Sequence, residues 1–199
     1  MRKILIIFPI IILLSACSNQ LLTAKKEAVA KNNILMVIAP IDFRDVEYFT
    51  PKKIFEGAGL TVTTASIQSG VARGTDGGEA KIDLTVSQVD PANFAAVVFV
   101  GGPGMAQIID DESLQVLAFK FSAANKLTAA ISVAPAVLAN AGLLAGKEAA
   151  SHLDVKYILE EKGARFSDQP VAVSNEIITA NGPDASAEFG RRIVEKINR

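Results

Sequence analysis

The chain has 199 residues, half of them hydrophobic, which is enough for one domain with a sizeable core and a further short segment. Its 20 basic and 21 acidic side chains give a net charge of −1, and no stretch is dense in Lys or Arg, so a nucleic-acid partner is not expected. The single cysteine, Cys17, and the single histidine, His152, exclude an internal disulfide framework and a Cys/His zinc cluster. Because the carboxylates are not clustered either, we expect no metal and no cofactor.

The first 17 residues have the pattern of a secretory signal peptide. A basic start at Arg2 and Lys3 precedes an apolar run over residues 4–14, which is shorter than the about 20 residues that a membrane-spanning helix needs. The run ends in Leu-Ser-Ala-Cys, which resembles the lipobox of bacterial lipoproteins. That resemblance implies that Cys17 becomes the mature N-terminus and carries acyl chains. The alternative is an ordinary signal peptide with an incidental cysteine.

Residues 18–32 are polar and are predicted to form a tether. A flexible coil of that length has an end-to-end distance of roughly 20 Å. We therefore expect the folded domain, residues 33–199, to lie close to a membrane on the extracytoplasmic side of a bacterial cell envelope. Its attachment to membrane lipid would be through Cys17.

From residue 33 onward, apolar runs alternate with helical patterns, which predicts a doubly wound α/β domain with buried parallel strands. The predicted strands are residues 34–39, 60–65, 94–100, 127–131, 171–173 and 177–180. A loop is predicted over residues 40–44 and a small hairpin or edge strand over 79–86. The predicted helices are one with Pro51 near its first turn, one capped by Asp111 or Ser113, two over 135–141 and 153–162, and an amphipathic one at the C-terminus.

Functional groups of such folds lie at the carboxyl ends of the strands, and three segments qualify. The loop after the first strand supplies four charged side chains: Asp42, Arg44, Asp45 and Glu47. The glycine turn at residues 101–104 lets backbone N–H groups approach an oxyanion, although a plain tight turn has the same composition. Ser132 ends an apolar strand and has small residues two positions away on either side. This pattern fits a nucleophile elbow and also a serine that caps a turn.

Four separated motifs resemble the ThiJ/PfpI family, which contains intracellular-protease-like proteins, the parkinsonism-associated deglycase and several chaperones. The motifs are F-R-D-V-E-Y-F-x-P at residues 43–51, V-G-G-P-G at 100–104, the segment around Ser132, and I-T-A-N-G-P at 178–183. The match runs in order from about residue 33 to residue 199. It implies a flavodoxin-like doubly wound sandwich, akin to class I glutamine amidotransferase domains, and a homodimer.

The resemblance also implies roles for individual residues. It places Ser132 where the family has its reactive cysteine and Glu47 as the acidic partner of that position. The backbone N–H groups of Gly102 and Val133 take the place of the oxyanion hole, and His152 falls where one branch of the family has a histidine near the nucleophile. A serine hydroxyl stays protonated where a thiol already yields thiolate, so cysteine-dependent activity and redox sensing are not expected at this position.

Three functional hypotheses follow. The favoured one is a membrane-anchored pseudoenzyme whose pocket binds a small molecule or a protein, or serves in stress response or protein quality control. The second is a hydrolase or deglycase-like enzyme, with Ser132 as nucleophile, His152 as base, and Glu47 or Asp184 as the acid that orients the base. In the third, these residues are structural: Ser132 is a hydrogen-bonded turn residue and Glu47 a helix-start carboxylate stabilised by the helix dipole.

Overall fold

A central sheet of seven strands organises the fold in the computed structural model, which describes residue 30 and residues 32–199. The predicted signal peptide with Cys17, and most of the predicted tether, lie outside the described residues. In chain order the strands are β1 (Asn33–Val37), β2 (Ile41–Phe43), β3 (Thr61–Ser66), β4 (Val71–Gly74), β5 (Glu79–Lys81), β6 (Leu84–Thr85), β7 (Ala96–Phe99), β8 (Leu127–Ile131), β9 (Glu148–Ala149), β10 (Arg165–Phe166), β11 (Val171–Ser174) and β12 (Ile177–Ala180). The α-helices are α1 (Asp45–Gly57), α2 (Pro103–Ala106), α3 (Glu112–Ala123), α4 (Pro135–Asn140), α5 (Lys156–Glu161) and α6 (Ser186–Ile197).

The central sheet is almost entirely parallel. Its order is β11-β12-β8-β7-β1-β3-β6, and only the pair of β11 with β12 is antiparallel within it. Residues 34–37 of β1 are completely buried, as are all four residues of β7. Continuous apolar runs form these strands because helices cover both faces of the sheet.

Helices pack on the two faces in separate layers. On one face, α1 and α6 contribute Phe55, Phe189 and Ile193 to an apolar cluster. On the other face, α3 and α4 contribute Phe121 and Leu138 to a second cluster. The predicted doubly wound sheet is therefore confirmed, and the carboxyl ends of β1, β7 and β8 meet at one edge. In the part of the chain that the structure describes, no helix is both long and apolar enough to cross a bilayer.

Two local predictions were wrong. The first turn of α1 lies at Asp45 rather than near Pro51, which occupies the interior of the helix and removes one of its hydrogen bonds. Residues 40–44, predicted as a loop, contain strand β2, which joins β4 and β5 in a small second sheet. Residues 79–86, predicted as a small hairpin or edge strand, are divided: β5 pairs with the earlier β4, and β6 is the edge strand of the central sheet beside β3. The predicted cap of α3 is confirmed, because the Asp111 carboxylate accepts the Ser113 N–H at 2.8 Å.

Candidate functional site

Ser132 lies in a sharp turn between β8 and α4. Its φ of 65° is in the left-handed region, which costs a non-glycine residue on the order of 1 kcal/mol and is common at functional sites. Backbone hydrogen bonds fix the turn. The Ser132 N–H donates to the Ala180 carbonyl at 2.9 Å, and the Ser132 carbonyl accepts the His152 N–H at 2.8 Å. The strand, turn and helix thus have the geometry of a nucleophile elbow.

The glycine turn at residues 101–104, which runs into α2, packs so closely against β2 that side chains are excluded at Gly102 and Gly104. A Cβ on Gly104 would lie 1.8 Å from the carbonyl oxygen of Ile41, and a Cβ on Gly102 would lie 2.5 Å from that of Asp42. Gly102 also has a φ of 113°, which favours glycine. Close packing against β2 therefore requires glycine at both positions, which a plain tight turn would not.

Gly101 brings the first loop and the elbow together. A Cβ on Gly101 would lie 2.6 Å from both Glu47 Oε2 and Ser132 Cβ, so these two atoms are no further apart than twice that distance. The Gly101 N–H donates to Glu47 Oε2 at 3.1 Å. The carboxyl group of Glu47 is thus held beside Ser132, as the family resemblance implies.

Glu47 is a completely buried carboxyl group. Its Oε1 has no hydrogen bond of regular geometry to any described residue, although the Ser132 hydroxyl is adjacent. Burial raises the pKa of Glu47 from 4.5 to about 7, against the lowering effects of the Ser132 hydroxyl, the Gly101 N–H and the charge of Arg44. Glu47 is therefore not an ordinary helix-start carboxylate, because near neutral pH a large share of the molecules carry it protonated.

Two backbone donors in the same cavity are unused. The N–H groups of Gly102 and Val133 donate to no acceptor among the described residues, and both residues are buried. Buried N–H groups without partners are rare in folded proteins. This pair is therefore available to an oxygen atom of a ligand or to a developing oxyanion.

His152 lines the cavity, but its ring is engaged elsewhere. Its Nδ1 lies 3.3 Å from Asp154 Oδ2 and also 3.3 Å from the Asp154 nitrogen. No hydrogen bond joins Ser132 Oγ to His152, and the polar group beside the hydroxyl is the Glu47 carboxyl, whose pKa it lowers. His152 is consequently not aligned as a base on the Ser132 hydroxyl, and Glu47 is the one titratable group beside it among the described residues.

Asp184 does not act as the orienting acid of His152 in this arrangement. It is exposed and lines a separate cavity with Asn181 and Glu188. The carboxylate beside His152 is that of Asp154, which sequence reasoning did not single out. Its position two residues after His152 was the available signal, since a short turn brings such a pair together.

The cavity at the elbow has a volume of about 360 Å³, which suits a small molecule. The cavity is lined by predicted site residues together with residues that were not singled out from the sequence. The full set is Arg44, Glu47, Gly102, Pro103, Ala106, Ser132, Val133, His152, Asp154 and Pro183. Within residues 30 and 32–199, no group of three or more His, Cys, Asp or Glu side chains could hold a metal ion.

Asp45 supports the site from the side of the β4–β5 turn. Its carboxylate accepts the N–H groups of Asp76 at 2.8 Å and Gly78 at 2.7 Å, and the Thr75 hydroxyl at 3.3 Å. Burial alone would raise the pKa of Asp45, but these bonds together hold it below its ordinary value. A Cβ on Gly74 would lie 2.2 Å from this carboxylate, so the turn is shaped around it.

The family model of DJ-1/PfpI proteins matches residues 32–196. The chain belongs to the DJ-1/PfpI family. This DJ-1/PfpI protein is 34% identical to an uncharacterised protein of Methanocaldococcus jannaschii, an alignment that covers 100% of the chain and 98% of that protein. It is 28% identical to deglycase PfpI of Pyrococcus furiosus, over 81% of the chain and 97% of the deglycase.

Solved structures of DJ-1/PfpI proteins share the fold of this chain. The crystal structure of a ThiJ/PfpI domain protein from Brachyspira murdochii has a TM-score of 0.83 at 39% identity and covers 84% of this chain and 96% of that one. DJ-1beta of Drosophila melanogaster has a TM-score of 0.76 at 27% identity, over 83% of this chain and 90% of that one. These comparisons confirm the predicted family and its flavodoxin-like fold, akin to class I glutamine amidotransferase domains.

Proposed function

We propose that the protein is a lipid-anchored DJ-1/PfpI domain that binds a small ligand at the elbow and lacks the cysteine-dependent chemistry of its family. The observation that carries the proposal is the environment of Ser132. Its hydroxyl shares a cavity with two unused N–H donors and the buried Glu47 carboxyl, and the ring of His152 makes no hydrogen bond to it. Because a serine hydroxyl becomes a nucleophile only beside a positioned base, this arrangement favours binding over attack.

The protonation of Glu47 supports the same interpretation. A carboxyl group with a pKa of about 7 is largely neutral below that pH and can then donate a hydrogen bond to a ligand oxygen. In that state it cannot accept the proton of Ser132. The family resemblance assigns position 132 to a reactive cysteine, whereas the one cysteine of this chain is Cys17.

A direct test uses the wild-type protein and the Ser132→Ala variant. Each is incubated with methylglyoxal, and each is treated separately with a fluorophosphonate probe. We expect no methylglyoxal consumption by the wild type beyond that of Ser132→Ala, and no covalent labelling of either. Consumption or labelling that depends on Ser132 would contradict the proposal.

A serine hydrolase is the second candidate, and one observation favours it. His152 is linked to the elbow through its own N–H, and its half-exposed ring lines the same cavity as the hydroxyl. In a hydrolase, the fluorophosphonate probe would label the wild type and not Ser132→Ala. The variant His152→Ala would then label about a hundredfold more slowly, since a general base contributes at least that factor.

The cell-envelope location is part of the proposal and is supported by the sequence. The basic start, the short apolar run and the cysteine that follows it are typical of a lipoprotein precursor. Since one acyl chain gives only marginal membrane binding, stable attachment through Cys17 would need more than one. The homodimer implied by the resemblance stays a prediction.

A further inference from the structure

Arg44 is a half-buried cation that lines the cavity without an ion pair. None of the ion pairs among the described residues involves it. Its backbone is fixed, because its N–H donates to the Gly101 carbonyl at 3.1 Å and its carbonyl accepts the N–H groups of Glu47 and Tyr48. The positive charge therefore lies near the cavity without an ion-pair partner, although it is close enough to Glu47 to lower the pKa of that carboxyl.

The Arg44 guanidinium is positioned by a chain of two hydrogen bonds. Arg44 Nη1 donates to Thr75 Oγ1 at 3.4 Å, and Thr75 Oγ1 donates to Asp45 Oδ2 at 3.3 Å. The direction is fixed because a hydroxyl has one hydrogen, which goes to the carboxylate and leaves a lone pair for the guanidinium. The N–H groups of the β4–β5 turn also bind the Asp45 carboxylate, which is thus engaged away from Arg44.

We propose that Arg44 makes this cavity a site for a small organic anion, whose carboxylate or phosphate group it binds, with Thr75 and Asp45 as positioning residues. The proposal rests on the ligand-binding function proposed above and adds the charge of the ligand. A guanidinium has five N–H donors in one plane, and a single one is used here, so the others can hold an anion in bidentate fashion. The free N–H groups of Gly102 and Val133 can bind a further oxygen of the same ligand.

Two carboxyl groups also line the cavity and oppose a bound anion. Asp154 lies beside the His152 ring with a side chain that is 79% exposed, so solvent screens its charge. Glu47 is buried in the cavity beside Ser132, and its ionised form would repel an anionic ligand. Since burial raises the pKa of Glu47 to about 7, this carboxyl is mostly neutral below that pH and then does not repel a bound anion.

The test follows the amide resonances of Gly102 and Val133 by two-dimensional NMR in the ¹⁵N-labelled full chain at pH 6. The protein is titrated with pyruvate, with methyl phosphate and with pyruvamide, the neutral counterpart of pyruvate. We expect saturable shifts with at least one of the two anions and binding of pyruvamide about tenfold weaker, since a charge-assisted hydrogen bond is worth about that factor. The anion that binds more tightly identifies the group for which the site is built.

Substitutions distinguish Arg44, which binds the anion, from Thr75, which positions the guanidinium. Arg44→Gln should weaken anion binding about tenfold. Thr75→Val, which loses the hydroxyl at similar volume, should weaken it less, and Thr75→Ser should restore it. The control is Arg73→Gln, because Arg73 is an exposed arginine of the same hairpin that pairs with Glu79, and its loss should leave binding unchanged.

Two results would overturn the assignment. Equal binding of pyruvate and pyruvamide, unchanged in Arg44→Gln, would remove the anion preference and leave the ligand-binding function intact. No shift with any of the three compounds would also reject it. The proposed function would then still be judged by the methylglyoxal and fluorophosphonate experiments, which do not depend on these compounds.

Discussion

At the scale of single residues, Glu47 links the site to the stability of the fold. Its pKa is raised from 4.5 to about 7 in the folded state by burial, so the folded protein binds this proton more tightly than the unfolded chain does. Between those two pH values the unfolded chain ionises first. Ionisation of Glu47 therefore costs stability as the pH rises through this window, up to about 3 kcal/mol above pH 7.

The variant Glu47→Gln tests this cost. We expect the wild type to lose stability between pH 4.5 and 7 and the variant to lose much less, because Gln cannot ionise. The two proteins should differ little at pH 4.5, and the variant should be the more stable at pH 8. Urea unfolding at a series of pH values measures the difference. Parallel curves for the two proteins would show that Glu47 ionises normally.

A second stability prediction concerns the packing around Gly104 rather than the charge of a side chain. Gly104→Ala would place a Cβ 1.8 Å from the backbone oxygen of Ile41, which cannot move without shifting β2, and should cost about 3 kcal/mol or more. Gly57→Ala is the matched control. Gly57 is the last residue of α1 with open space around it, so this change should stabilise by about 0.5–1 kcal/mol. Equal melting temperatures for the two variants would contradict the packing described for the glycine turn.

The sequence predicts some site residues and not others for a physical reason. Ser132 and Gly102 are predictable because a tight turn admits few residue types, so local spacing carries the information. The pairing of His152 with Asp154 is local and could have been predicted from their spacing, whereas the role of Arg44 depends on distances between segments that only the packed fold determines. The raised pKa of Glu47 has the same origin, since burial is a property of the whole domain.

At the scale of elements, Asp45 joins the start of α1 to the β4–β5 turn. Because its pKa is lowered in the folded state, its stabilisation is fully present above the pKa of the unfolded chain and is lost as the pH falls through the folded value. The turn should therefore loosen in acid. Since Thr75 belongs to this turn, loosening would also release the Arg44 guanidinium.

Asp45→Asn should destabilise the protein by about 2 kcal/mol, because one charged acceptor serves two N–H groups and a hydroxyl. Hydrogen exchange should show that protection falls at the amides of Asp76 and Gly78. The control is Asp90→Asn, since the exposed Asp90 side chain accepts the single N–H of Ala92 and its loss should have a small effect. Unchanged protection at Asp76 in Asp45→Asn would contradict this connection.

The central strands were predictable because a strand buried on both faces is a continuous apolar run. The short elements were not. Two of the three residues of β2 are exposed, and Asp42 has a φ of 57°, so nothing in the sequence distinguishes this strand from a loop. The start of α1 was misplaced because Pro51 is typical of a first turn, whereas here the helix tolerates it in its interior.

At the scale of the whole molecule, the amino end of β1 and the cavity lie at opposite edges of the sheet. The predicted tether, residues 18–32, directly precedes Asn33 at the amino end of β1, whereas Ser132 follows the carboxyl end of β8. Parallel strands have all their carboxyl ends at one edge. A lipid anchor at Cys17 would therefore leave the cavity facing away from the membrane, open to ligands of the surrounding compartment.

The anchor itself predicts the result of cell fractionation. The wild type should be in the membrane fraction, and Cys17→Ala should be released or remain as an unprocessed precursor without acyl chains, which mass spectrometry detects. Ser18→Ala is the control, because it changes the next residue and keeps the lipidated one. A Cys17→Ala protein that is processed and still bound to membranes would reject the anchor.

The most direct measurement of the central claim, that a cysteine-enzyme scaffold here carries a serine, is methylglyoxal consumption by Ser132→Cys beside the wild type. The account predicts activity that appears with the thiol and falls when Glu47→Gln is added, because the elbow, the free N–H groups and the buried carboxyl are already in place. A folded Ser132→Cys protein without activity would contradict it. Wild-type activity that equals that of the thiol variant would contradict it as well.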